Sequence, residues 1–110
     1  RVRPRAAESF GLAVHELATN AVKYGALATP GGRLAIDWQL VEQPDGASFQ
    51  FIWAETCLDG PPIGARRRGF GTEVLEKSLA YELGAETSLV FGPAGLVCRI
   101  AVPLSNFAQD

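Results

Sequence analysis

The sequence predicts an α+β domain, a two-layer α/β sandwich with helices backing one face of a mostly antiparallel sheet. Three observations carry this reading. Residues 6–24 repeat apolar side chains at helical spacing, and two runs after them alternate apolar and polar residues across a short turn. A glycine-rich segment then leads to a second helix and two more strand patterns. At 110 residues the chain makes one domain, since a second core needs about another 150. Apolar residues are 47% and charged residues 20% of the chain, so it reads as globular rather than disordered or fibrous.

The first helix is expected from Ala6 to Tyr24. Phe10, Val14, Leu17, Ala18 and Ala21 share one stripe, Pro4 suits the start, and Gly25 suits the cap position after the end. Thr29-Pro30-Gly31-Gly32 reads as a loop, because proline disfavours helix in the residue before it. A strand follows from Arg33 to Glu42, with Leu34, Ile36, Trp38 and Leu40 on one face. Pro44-Asp45-Gly46 turns the chain into Ser48–Glu55, where Phe49, Phe51 and Trp53 repeat the alternation, so the two strands form a hairpin. Thr56–Phe70 has no apolar period and reads as a loop. A second helix runs from Thr72 to about Leu83 with Leu75, Leu79 and Leu83 on its stripe, stopped by Gly84. Glu86–Phe91 and Leu96–Pro103 are two further strands, and Asn106–Asp110 reads as a tail.

Composition narrows the chemistry. Ten Lys and Arg against twelve Asp and Glu give a net charge of −2, which argues against a nucleic-acid face. No apolar run approaches the roughly 18 residues of a membrane span, and no signal-peptide stretch follows Arg1–Arg5, so a soluble, cytoplasmic domain is expected. Two cysteines outside any CxxC pattern and a single histidine, His15, leave little basis for a structural zinc or a serine triad.

On the first helix, Glu16, Asn20 and Lys23 fall at i, i+4 and i+7, within about 60° of one another and roughly 145° from the apolar stripe. A carboxylate, a carboxamide and an ammonium on successive turns suit a magnesium-bound polyphosphate, with oxygens for the cation and Lys23 for a phosphate. The plainer alternative is a solvated helix face. Gly69 and Gly71 allow close backbone approach, and the free N–H groups at the start of the Thr72 helix suit phosphate oxygens. Gly64 and Gly69 have P-loop spacing, yet Phe70-Gly71 stands where Lys and Ser or Thr are required, so a Walker A site is rejected. Glu55 ends a strand and is expected at a pocket rim, where its carboxylate could accept a hydrogen bond from an amino group such as adenine's; alternatively it is a strand-end carboxylate in water. Trp53 reads as core, and Arg66, Arg67 and Arg68 as a solubilising loop or a gate for anionic phosphate.

Three segments together are more specific. His15-Glu16-Leu17-Ala18-Thr19-Asn20-Ala21-Val22-Lys23-Tyr24-Gly25-Ala26-Leu27, Trp53-Ala54-Glu55 and Arg68-Gly69-Phe70-Gly71-Thr72 resemble the catalytic ATP-binding domain of the HWE family of bacterial sensor histidine kinases. The histidine and the WxE motif that name the family are matched by His15, Trp53 and Glu55. The resemblance covers nearly the whole chain and implies a Bergerat-type (GHKL) fold, a mixed, mostly antiparallel sheet with ATP and Mg²⁺ on its helical side.

By similarity Asn20 ligates Mg²⁺, with Glu16 polarising water or a magnesium ligand and His15 beside it as a family-characteristic residue. Lys23 and Tyr24 approach the nucleotide, Glu55 meets adenine, and Gly69, Phe70, Gly71 and Thr72 lie at the phosphates. The segment Thr56-Cys57-Leu58-Asp59 is longer than the family pattern, so Asp59 competes with Glu55 for adenine. Implied partners are the phosphoacceptor histidine domain of the same kinase and a response regulator. The chain is expected to be a fragment without the leading strand or the dimerising helices, unable to autophosphorylate alone. Two rivals remain: a degenerate docking module of the same fold that binds nucleotide poorly, and a phosphoacceptor role for His15 itself.

Overall fold

The computed structural model describes residues 1–28, 30–56, 70–92 and 95–108, with the side chains of Tyr24, residues 70–75 and Phe91 outside that description. Helix α1 spans Pro4–Tyr24 and a 3-10 turn Ala26–Ala28; strands β1 (Arg33–Gln43) and β2 (Gly46–Thr56) form a hairpin. Helix α2 spans Phe70–Leu83, followed by β3 (Glu86–Gly92), β4 (Gly95–Pro103) and the short helix α3 (Leu104–Phe107). The strand order is β1-β2-β4-β3. Every pairing among the described strands is antiparallel, so the parallel member that a mixed sheet requires is absent from them.

The alternating patterns become faces of the sheet. Phe49, Phe51, Trp53 and Glu55 of β2 and Leu96, Cys98, Ile100 and Val102 of β4 point into the helical layer and are buried. Ala6, Ala13, Leu17 and Ala21 of α1 and Leu79 and Leu83 of α2 meet them in one core. Small residues on α1 let the helix sit close to the sheet. Phe10 lies edge-on to Phe49, Phe51 and Phe107 with ring centroids 5.8, 4.9 and 5.6 Å away, an arrangement that sets a positive ring edge against a negative ring face.

The apolar face of β1, which its alternation would suggest is packed, is largely open. Its residues Ile36, Trp38 and Leu40 lie opposite Trp53, Phe51 and Phe49, yet Ile36, Trp38 and Leu40 are 52%, 62% and 57% exposed. The strand is at the sheet edge, and the helices lie over the central strands. The expected C-terminal tail is also corrected: Leu104–Phe107 is helical and Phe107 is buried, stacked on Phe49 at 4.4 Å.

Gly84 ends α2 in the left-handed region at φ 63°, where glycine lacks the Cβ penalty. Arg5 of α1 pairs with Glu82 near the end of α2 at 3.8 Å, and the two helices pack alongside one another, so they run antiparallel. The C-terminal half of α1 therefore lies at the end of the layer where α2 begins.

Candidate functional site

That end of the helical layer gathers most of the described candidate residues. Gly71 stands eleven residues before Glu82, about 16 Å along α2 at 1.5 Å per residue; the same rise from Arg5 reaches Glu16, with Asn20 about one turn beyond. Glu16 and Asn20 are half-buried, whereas His15 and Lys23 are exposed. A group that is half-buried on a helix can turn its polar end toward a ligand while its stem packs, which suits the carboxylate and carboxamide. Lys23 lies in the last turn of α1, where a cation is favoured by the helix dipole. Tyr24 closes the helix, with its side chain outside the described residues.

Phe70, Gly71 and Thr72 form the first turn of α2, so their N–H groups are those a helix leaves without intrahelical partners. Gly69 and Asp59, like Cys57 and the three arginines, lie outside the described residues.

Glu55 occupies a different place from the expected open rim. Spacing of two along β2 puts Trp53 and Glu55 on the same face of the sheet, and that face is the helical one. Glu55 is 3% exposed and Trp53 is 2% exposed. The Ala26 backbone N–H donates to Glu55 Oε1 at 3.1 Å, and Trp53 Nε1–H donates to Oε2 at 2.7 Å. The carboxylate thus ties β2 to the turn that follows α1. A WxE spacing announces the pair, but no side-chain pattern announces the backbone donor of Ala26.

Beneath this pair, Cys98 of β4 stands opposite Trp53 and is buried. Burial pushes its thiol up to about 12, helped by the negative charges of Glu76 and Glu55. A thiol held protonated is a poor nucleophile, so Cys98 belongs to the core.

Among the described residues no group of three or more His, Cys, Asp or Glu could hold a metal ion. The half-buried Glu16 and Asn20 supply hard oxygen donors on successive turns. That set fits Mg²⁺, which commonly takes one or two protein oxygens and completes its shell with phosphates and water. No helix among the described residues is long and apolar enough to cross a membrane.

The chain matches no family model. It is 40% identical over 106 residues to a blue-light-activated histidine kinase of Brucella anthropi, covering 94% of this chain and 21% of that protein. A blue-light-activated histidine kinase of Brucella ovis is 39% identical over 105 residues, with the same coverage of 94% and 21%. The chain therefore spans about one fifth of the curated relatives it matches. Among solved structures, the histidine kinase domain of a blue-light activated kinase from Erythrobacter litoralis superposes with a TM-score of 0.70 at 22% identity, over 92% of this chain and 48% of that one. A longer structure of the same kinase gives a TM-score of 0.72 at 22% identity, over 94% and 32%. The α+β architecture is thus that of the solved histidine kinase domain, and the sequence is similar to one segment of the blue-light-activated histidine kinases.

Proposed function

We propose that the chain is the catalytic ATP-binding portion of an HWE-type sensor kinase: it binds Mg·ATP and transfers the γ-phosphoryl group to a histidine on a separate domain, for delivery to a response regulator. The observation that supports this reading is the packing of α1 beside α2 with the start of one at the end of the other, which directs Glu16, Asn20 and Lys23 toward the first turn of α2. A helix start offers N–H donors and a positive dipole end to phosphate. The opposing α1 offers oxygens for the cation and an ammonium for charge.

In this reading Asn20 and Glu16 hold Mg²⁺ or its water, with His15 beside them. Lys23 and Tyr24 approach the nucleotide, and Gly69, Phe70, Gly71 and Thr72 cradle the phosphates. The adenine amino group falls to Asp59 or Glu55. Mg²⁺ supplies neutralisation of the charge on the transferring group. The chain's own residues contribute positioning, the larger part of phosphoryl-transfer catalysis.

Calorimetric titration with Mg·ADP tests it. The wild-type chain is expected to bind in the micromolar to sub-millimolar range, and Asn20→Ala to weaken binding at least about tenfold, roughly 1.4 kcal/mol, with an unchanged melting temperature. A folded chain that binds nothing at millimolar nucleotide would instead be the docking module.

A further inference from the structure

Glu55 is a buried carboxyl group that stability alone would not place where it is. Burial of a carboxylate costs desolvation, and Glu55 meets the end of α1, where the helix dipole is negative and disfavours an anion. What the arrangement gives in return is geometry. The Ala26 N–H is held by the carboxylate, and the Ala26 carbonyl lies so close to Gly32 that a Cβ there would collide with it. The Glu55 backbone is as closely approached, since a Cβ on Gly95 would collide with its carbonyl. On the sheet side, the indole N–H of Trp53 fixes the second carboxylate oxygen.

We infer that Trp53 and Glu55 are positioning residues for the nucleotide site: they clamp the Ala26 turn to β2 and so set the height and rotation of the α1 segment that bears Asn20 and Lys23. The inference rests on the nucleotide reading above and deepens it. Asn20 lies one turn before the end of α1 at Tyr24, and Ala26 follows that end across Gly25, so a shift of the Ala26 turn acts on the last turn of the helix that bears the carboxamide.

Two substitutions separate clamping from base contact. Trp53→Phe keeps an aromatic ring and removes only the indole donor; Glu55→Gln keeps the shape and removes the charge. In the 110-residue chain, each is expected to speed amide hydrogen exchange at Ala26. Each is also expected to weaken Mg·ATP and Mg·ITP binding alike, by about three- to tenfold, leaving the ratio of the two affinities unchanged. The double variant should lose less than the product of the single losses, because both remove one interaction. The inference is overturned if Ala26 exchange stays at the wild-type rate in both variants. It is equally overturned if Glu55→Gln alone changes the ATP-to-ITP ratio while Trp53→Phe binds as wild type, since Glu55 then reads the base. A wild-type chain that binds neither nucleotide refutes the nucleotide reading, and Ala26 exchange still decides whether the clamp exists.

Discussion

The two ends of the helical layer are fastened in different ways. Where α1 begins and α2 stops, several independent contacts share the task. The Arg3 N–H donates to the Phe107 carbonyl at 2.9 Å, Arg3 Nε to the Ser105 carbonyl at 2.9 Å, and Asn106 Nδ2 to the Leu83 carbonyl at 2.9 Å. Val2 and Ala108 add an isolated bridge, and the Arg5–Glu82 pair is an exposed ion pair of the kind that contributes little. At the opposite end, among the described residues, the buried carboxyl group of Glu55 joins the turn after α1 to the sheet. Contacts spread over several groups tolerate loss; a buried junction centred on one carboxyl group transmits it. The first end should therefore govern stability alone, and the second both stability and binding.

The sharpest way to break the contrast is Gly32→Ala. A methyl group there must displace the Ala26 backbone, and overpacking of this kind costs about 3 kcal/mol. Denaturant unfolding should show that loss, accompanied by weaker nucleotide binding. A stable variant with intact affinity would mean that the turn is freer than the contacts imply.

Raising the pH probes the core under the same junction. The folded Cys98 thiol is held at about 12 against an ordinary 9.0. Below pH 9 both folded and unfolded thiols are protonated, and the contribution to stability is complete. Above it the unfolded chain ionises first, so stability falls between pH 9 and about 12, by up to about 1.4 kcal/mol per pH unit. Cys98→Ser should flatten that descent in unfolding curves collected across the range.

The smallest effect belongs to the redundant end. Asn106→Ala removes one part-buried hydrogen bond to the last carbonyl of α2, worth about 1 kcal/mol. Melting temperature should fall slightly, and titration with Mg·ADP should match the wild type. A loss of affinity there would erase the distinction between the two ends.

Much of this architecture was readable from residue order, and the exceptions have physical causes. Helix α1 was legible because Phe10, Val14, Leu17 and Ala21 recur at its period, and β2 because Phe49, Phe51 and Trp53 alternate. β1 carries the same alternation and stays largely exposed, since period two reports which face a side chain takes and not whether anything covers it. The helix at Leu104–Phe107 was missed because four residues offer barely one turn of pattern; the apolar pair Leu104 and Phe107 was the available signal. Glu16, Asn20 and Lys23 could be placed on one flank by arithmetic. Glu55 could not be placed correctly, because its partners are an indole two residues away and a backbone amide 29 residues away.

The contrast between the outer and inner strands of the hairpin also equips the molecule with two optical probes. Its tryptophans number two; Trp38 is 62% exposed and Trp53 is 2% exposed. Emission from the first is open to aqueous quenchers, whereas the second emits from a dry interior with its ring nitrogen bound to an anion. Fluorescence left after quenching of Trp38 therefore reports on the buried junction, with no label added.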